Sequence, residues 1–422
     1  MDNTTNKTTS ALDLAPELLN GISQLNMAEN TSQTTSILDL PPELLDQIAR
    51  SLPLKEHGLC RLACRYLYTS TWSAYARKEV GELITDLSAK SLAQLEEVAQ
   101  DPRRAPYVRK LVVCSNDAGP SSDQTPDGTQ RPWMWEESTG HILPLQPNER
   151  QLEDILRRFS NCQSFYLSAV ALPTDSEKRF GRPPDFGDTV SIVLGILLRV
   201  NRQLKELQLF FPSDQSDSRA LLDAPGGLPQ FRCLYSNLEV LEFASEHPCP
   251  DNFLLDILLH APKMRKLGIS FGDTGSDTVS RLFTTPMPFQ LQELELNEVP
   301  DIDGASLLEF IRHHSRTLKC LDLWDLGLHP AGQDWPTIFK SLATSLLRLE
   351  LVEFSGLRGG GESTSSYFKF PGEDGQQANY FYCDGPFGEG KLCKAPSMKA
   401  VLEKIASHTQ TRLLLNDGLV LL

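Results

Sequence analysis

One short hydrophobic motif recurs along the middle of the chain: an apolar residue, two variable positions, a second apolar residue, one variable position and a third apolar residue. Its six clearest copies are Leu204-Leu207-Leu209, Leu238-Leu241-Phe243, Met264-Leu267-Ile269, Leu291-Leu294-Leu296, Leu318-Leu321-Leu323 and Leu346-Leu349-Leu351. Successive central residues of these copies are separated by 34, 26, 27, 27 and 28 positions. Four nearly equal spacings in succession indicate a structural repeat.

The motif predicts a strand, and the residues between motifs predict a helix. Alternation at the end of each motif places two apolar side chains on the same strand face. Between strands, apolar residues recur at helical spacing, as at Leu307, Leu308 and Ile311, and Asp251 and Asp303 stand where helix N-caps are expected. A single strand–helix unit cannot bury its apolar face alone, so the units are expected to stack into a parallel sheet backed by helices.

The predicted fold class is α/β, with a leucine-rich repeat solenoid over residues 148–356, because the period falls within the roughly 20–29 residues typical of such repeats. Looser copies of the motif occur upstream at Val108-Leu111-Val113 and Cys162-Phe165-Leu167. A long flexible loop is predicted over 115–147 and a linker with a cap over 357–422, from their glycine, serine and proline content. Ordinary strand–helix units of a doubly wound sheet are the alternative, and they seldom keep so regular a period.

Residues 37–80 show a different pattern, that of several short helices. Pro42 and Glu43 form a typical helix start, and Pro53 ends that helix. A second helix is predicted from about residue 55 through residue 67, because apolar residues recur there at helical spacing. A module of about 40 residues cannot bury much apolar surface alone, so a partner is expected to complete it. The apolar face of the first helix consists of Leu45, Ile48 and Leu52.

The ordered residues of this module are Leu40-Pro41-Pro42-Glu43-Leu44-Leu45, Ile48, Ser51-Leu52-Pro53-Leu54, Arg61-Leu62 and Cys64-Arg65-Tyr66-Leu67-Tyr68. This set resembles an F-box of the kind common in filamentous fungi, and residues 81–114, expected to form linker helices and a first strand, are similar to the segment that follows it. The resemblance implies a three-helix module that binds the Skp adaptor of a cullin–RING ubiquitin ligase. It implies adaptor contacts by Leu40, Pro41, Pro42, Glu43, Leu44 and Ile48, supported by Leu52, Leu54, Leu59, Leu62 and Leu67.

The first 36 residues contain a partial copy of the helix start. Residues 8–19 nearly repeat residues 34–45, 26 positions earlier, but no second helix follows. We interpret residues 1–36 as a disordered segment with a decayed duplication. Met27 is a plausible alternative start of translation.

Composition and charge argue against several classes of function and location. The formal net charge of −15 and the pI near 5.1 argue against a broad nucleic-acid-binding surface, which draws its affinity from clustered Lys and Arg. Nine scattered cysteines without a secretory signal predict reduced thiols and a cytoplasmic or nuclear protein. The longest apolar run, 190–200, is too short to cross a bilayer, so no membrane association is expected.

No catalytic motif is apparent, so no enzymatic activity and no cofactor are expected. His57, Cys60 and Cys64 could reach one side of a helix, but a structural zinc site needs four ligands. We therefore interpret them as packing residues and expect no metal.

The strand positions that alternate with the buried ones form the candidate recognition face. An acidic majority there predicts a basic or mixed-charge protein target, with Phe210 and Trp324 as aromatic anchors. An acidic protein that simply has acidic exposed strands is an equally open interpretation. The predicted target-face residues are Glu206, Gln208, Phe210, Glu242, Lys266, Glu293, Glu295, Asp322, Trp324, Arg348 and Glu350.

These patterns together predict a non-catalytic substrate-recognition subunit of a Skp–cullin–F-box ubiquitin ligase. The F-box would bind the adaptor, and the repeats would bind the protein target. The alternative is an interaction scaffold whose F-box acts without a cullin ligase.

Overall fold

The computed structural model describes residues 36–114, 133–134, 142–143, 145–168, 186–211, 231–245, 253–272, 276–329, 332–345, 348–355, 357, 390–393 and 402. The chain divides into two compact units, Met1–Tyr75 and Ala76–Leu422. The partial duplication predicted before residue 36 lies outside the described residues, as do Asp251 and most of the predicted cap.

The described part of the first unit is helical. A 3₁₀ turn at Ile37–Asp39 precedes α1 (Pro42–Ser51), α2 (Leu54–Ala63) and α3 (Arg65–Ser70), and α4 (Trp72–Val80) runs past the end of the unit. Prolines lie at the N-termini of two helices: Pro42 occupies the first turn of α1, and Pro53 is the N-cap residue of α2.

The predicted continuous helix through residue 67 is wrong. Cys64 adopts an extended conformation, with φ −161° and ψ 163°, and this ends α2 and begins α3. Apolar spacing alone could not reveal the break, because the residues on both sides of Cys64 keep a helical period. The break separates Leu59 and Leu62 from Leu67.

The second unit contains one ten-stranded sheet whose strand order follows the chain order. The first nine strands pair in parallel, and the tenth pairs antiparallel to the ninth. The strands are β1 (Glu82–Thr85), β2 (Lys110–Cys114), β3 (Ser164–Ser168), β4 (Glu206–Phe211), β5 (Val240–Ser245), β6 (Lys266–Phe271), β7 (Glu293–Asn297), β8 (Cys320–Trp324), β9 (Leu351–Ser355) and β10 (Gly390–Cys393).

Helices connect successive strands from β1 to β9, which is the arrangement predicted from the repeat. They are α5 (Ala89–Gln100), α6 (Pro147–Arg158), α7 (Phe186–Arg199), α8 (Arg232–Tyr235), α9 (Phe253–Leu259), α10 (Ser276–Thr284), α11 (Gly304–His313) and α12 (Trp335–Ser345), with a 3₁₀ turn at Ala105–Tyr107. The predicted N-cap is confirmed at Asp303, whose carboxylate accepts hydrogen bonds from the backbone N–H groups of Ala305 and Ser306. The second unit is therefore a solenoid-like α/β fold.

Alternation along the strands confirms the repeat register from β2 to β8. One row of paired residues runs from Leu111 through Phe165, Leu207, Leu241, Leu267 and Leu294 to Leu321, all at most 1% exposed. A second buried row lies two residues further along each strand. Burying one such side chain contributes about 1.5–3 kcal/mol, so these two rows with the facing helix residues form the main core.

The register predicted for the last repeat is wrong. Val352, not Leu349, pairs with Leu321, so the interval to the last strand is longer than predicted and Leu349 takes the place of Leu318 in its repeat. Val352 is fully buried and Leu351 is half-buried. Arg348 and Glu350 consequently precede β9 and do not belong to the strand face assigned to them.

The predicted flexible loop 115–147 is anchored where it is described. Trp133 is buried and its indole N–H donates to the carbonyl of Leu87, at 3.0 Å. The Gln146 amide bonds the backbone of Met134 through both its nitrogen and its oxygen, each at 2.7 Å.

In the described part of the chain, no helix combines the length and the apolar character needed to cross a membrane.

Candidate interaction surfaces

The first unit exposes an unusual amount of apolar surface. Eight of the fourteen large apolar side chains that are exposed among the described residues lie between residues 37 and 68. We call them the docking patch: Ile37, Leu38, Leu44, Leu54, Leu59, Leu62, Tyr66 and Tyr68. A contiguous stretch of sequence with so many exposed apolar side chains is typical of a binding surface.

The predicted adaptor contacts are accessible. Pro41, Pro42, Glu43 and Leu44 are exposed, and Leu40 and Ile48 are half-buried. The Tyr66 hydroxyl donates to the carbonyl of Leu40, at 3.0 Å, and so ties the approach to α1 to α3.

The predicted supporting residues divide into two groups. Leu67 is 6% exposed and Leu52 is half-buried, as expected of residues that support a surface from behind. Leu54, Leu59 and Leu62 are 43%, 61% and 81% exposed, so they lie at the surface of the unit.

The interior of the first unit contains an arginine that the sequence pattern did not reveal. Arg61 is 7% exposed, and its guanidinium lies 4.3, 4.7 and 4.0 Å from the ring centroids of Tyr68, Trp72 and Tyr75. His57 is fully buried and meets the Tyr75 ring edge-on. The spacing of the three aromatic residues, at i, i+4 and i+7, was the signal that could have predicted a common face.

Asp46 joins α1 to the start of α4. Its carboxylate accepts hydrogen bonds from the Ser73 hydroxyl and the Ala74 backbone N–H, and it forms an ion pair with Arg50. Burial by itself raises the pKa of Asp46, but the bonds from Ser73 and Arg50 outweigh it and hold the pKa below the usual value. The helix carrying the predicted adaptor contacts is thereby fixed to the rest of the first unit.

The second unit presents a sheet face on the side opposite its helices, and we call it the open face. The predicted target-face residues on β4 to β8 lie there: Glu206, Gln208, Phe210, Glu242, Lys266, Glu293, Glu295, Asp322 and Trp324. All of them are half-buried or exposed. On β9, Leu351 occupies the position beside Cys320 that the wrong register had assigned to Arg348.

The two predicted aromatic anchors lie far apart on the open face. Phe210 and Trp324 are 38% and 39% exposed, on β4 and β8. Four strand spacings separate them, about 19 Å. A compact side-chain cluster therefore cannot contact both, whereas an extended segment can.

Phe210 instead pairs with Tyr166, a residue of β3 that the sequence analysis left out. The ring centroids are 5.3 Å apart, and the Lys110 ammonium lies 5.6 Å from the Tyr166 ring. We call Tyr166 and Phe210 the aromatic pair. The looser repeat copy at Phe165 contained this signal, because its alternation already placed Tyr166 on the open face.

Acidic side chains converge at the middle of the open face. The Lys266 ammonium lies 2.6 Å from a carboxylate oxygen of Glu242 and 3.9 Å from one of Glu295. Burial by itself lowers the pKa of Lys266, but the hydrogen bond and the charge of Glu242, with Glu295 and Glu293, outweigh it and raise the pKa. Asn297 donates to the other oxygen of Glu295, at 3.2 Å.

These surfaces are suited to binding. No group of three or more potential ligands among His, Cys, Asp and Glu is arranged to hold a metal ion within the described ranges. Neither a family model nor a curated protein matches the sequence.

Proposed function

We propose that this chain is a non-catalytic substrate-recognition subunit of a Skp–cullin–F-box ubiquitin ligase. In this proposal the docking patch and the exposed helix start at residues 41–44 bind the Skp adaptor, and the open face binds the target protein. Ubiquitin transfer is carried out by other subunits, and this chain holds the target protein close to them.

The single observation that carries the proposal is the docking patch. The described helices of the first unit bury few apolar residues, among them Leu45, Ala49 and Leu67, and leave Leu44, Leu54, Leu59 and Leu62 exposed. Leu62, at 81% exposed, keeps nearly its whole side chain in solvent. Such a module gains stability by covering these leucines with another protein.

The adaptor contact is tested by capture of the purified Skp adaptor on the full-length chain. Replacing Leu59 and Leu62 together by Ser removes two of the most exposed apolar side chains without touching the buried residues of the unit. We expect at least a tenfold loss of adaptor affinity. Ile84→Ser is the matched control, because Ile84 is 62% exposed but lies on β1, and it is expected to bind as the wild type does.

The cullin is the second measurement, and it separates the proposal from the scaffold alternative. Capture of both adaptor and cullin supports the ligase subunit. Capture of the adaptor with no cullin favours a scaffold that acts without a cullin ligase. Adaptor binding that is absent from the wild type, or unchanged in the double Ser variant, refutes the role of the docking patch.

A further inference from the structure

Gly268 lies between two acidic residues at the centre of the open face. It occupies the open-face row on β6, with Glu242 beside it on β5 and Glu295 on β7. A methyl group added at Gly268 would lie 3.3 Å from the Cγ atom of Glu242 and 3.7 Å from a carboxylate oxygen of Glu295. The two acidic side chains therefore lean over the glycine from both sides, across the space that a side chain would fill.

This convergence brings together carboxylates from strands that are not neighbours. The backbones of β5 and β7 are two strand spacings apart, about 9.6 Å. A single ammonium, that of Lys266, nevertheless reaches both carboxylates. Glycine within a strand often marks a place where another molecule approaches closely. Here the missing side chain of Gly268 leaves room for Glu242 and Glu295 to contact the same ammonium group.

The charges at this point do not balance. Glu242, Glu293 and Glu295 surround Lys266, so three carboxylates face one ammonium. Asp322 continues the row on β8. The side chains of Lys266, Glu242 and Glu295 are 30%, 27% and 37% exposed, which leaves the group accessible from solvent. A second cation is therefore attracted to the same point.

We infer that Glu242 and Glu295, brought together over Gly268, bind one arginine or lysine side chain of an extended target segment, in the place that Lys266 occupies in the free protein. Lys266 acts as an internal substitute for the target's cation. The inference rests on the proposed target-binding role of the open face and specifies the target's chemistry. It is independent of adaptor binding.

The aromatic pair sets a second requirement on the target. Its midpoint lies two and a half strand spacings from β6, about 12 Å across the sheet. An extended chain that crosses the strands advances about 13 Å in four residues. A target with a basic residue and an apolar residue four positions away therefore places the first on the acidic pair and the second on Tyr166 and Phe210.

The test measures binding of fluorescent nonapeptides to the full-length chain by anisotropy. The probe carries Arg with Leu four positions away, in each chain direction, and the reference peptide carries Gln in place of Arg. We expect the Arg probe to bind at least tenfold more tightly than the Gln reference. Equal binding of the two peptides, or no binding of any, overturns the inference.

Gly268→Ala and Gly268→Val change no charge but push the acidic side chains apart. We expect about threefold and tenfold weaker binding of the Arg probe, because the added atoms approach the Cγ atom of Glu242 and the carboxylate of Glu295 and displace these side chains. Ser270→Ala, at the next open-face position of β6, is the matched control and should bind as the wild type does. Lys266→Met should strengthen binding several-fold, because the internal competitor is removed.

General electrostatic attraction makes a different prediction. If only the acidic character of the face matters, the Gly268 variants bind the Arg probe as tightly as the wild type, and the inference is wrong. Adaptor capture by the same variants is measured in parallel. Loss of peptide binding with retained adaptor capture supports the inference, whereas failure of adaptor capture by the wild type counts against the ligase proposal alone.

Discussion

The guanidinium carbon of Arg61 lies 4.0 Å from the ring centroid of Tyr75, with two further aromatic rings within 4.7 Å. Its Nε and Nη2 atoms have no hydrogen-bond partner among the described residues. The aromatic rings therefore supply the main stabilising contacts of this buried cation, through cation–π attraction and packing.

Arg61→Ala is expected to destabilise the first unit by about 2–4 kcal/mol, because it removes both the cation and the atoms that fill the space between the rings. Hydrogen exchange of the backbone amides in α1 to α3 measures the effect. Arg50→Ala is the control, since Arg50 forms a surface ion pair and its loss should cost at most about 1 kcal/mol. Unchanged protection in Arg61→Ala would contradict the stabilising role of the ring contacts.

His314 predicts a pH dependence of the second unit. Its ring is fully buried, stacked on Phe289 and edge-on to Phe310, and its Nδ1 atom accepts from the Leu291 backbone N–H. Burial, and to a smaller extent the neighbouring His313, lowers its pKa from 6.5 to about 4. The folded protein thus favours the neutral ring.

The pKa of His314 is lower in the folded state than in the unfolded state. Above pH 6.5 the ring is neutral in both states, so its ionisation does not change the stability of the protein. Below pH 6.5 the unfolded state gains a proton first, so stability decreases as the pH falls towards 4, by up to about 3 kcal/mol. Urea unfolding between pH 7 and 4 measures this loss. His314→Phe should flatten the dependence. An equally steep loss in His314→Phe would show that another group is responsible.

The corrected register of β9 predicts opposite results for two neighbouring residues. Val352→Ser places a hydroxyl in the buried row beside Leu321 and should cost about 2–3 kcal/mol of unfolding free energy. Leu351→Ser alters a half-buried open-face position and should cost less than about 1 kcal/mol. Thermal unfolding of the two variants measures both. A larger loss of unfolding free energy in Leu351→Ser than in Val352→Ser would support the register predicted from the sequence.

The repeat could be predicted because its signal is local. A strand alternates every two residues and a helix every three to four, so Leu294 and Leu296 identify a buried strand face without knowledge of any other strand. The prediction of the last repeat failed for the same reason, because Leu346-Leu349-Leu351 and Leu349-Val352-Phe354 both match the local motif. Only pairing with β8 selects between them.

The interior of the first unit could not be read from apolar spacing. A charged residue is buried there because rings contributed by two other helices surround Arg61. The spacing of the three aromatic residues indicates that they share a face, but it does not indicate that Arg61 packs against that face. The periodicity also does not register the extended conformation of Cys64, which ends α2, or the exposure of Leu59 and Leu62.

Local patterns in the sequence specify the strand–helix alternation, the buried rows and the acidic character of the open face, since each depends on residues close together in the chain. Which charged side chains contact one another depends on the folded arrangement of the strands. Glu242 and Glu295 are separated by 52 intervening residues, and they share Lys266 only because β5, β6 and β7 are adjacent and Gly268 leaves room between them. Contacts between residues that are distant in sequence depend on which strands lie side by side, and the whole sheet sets that order.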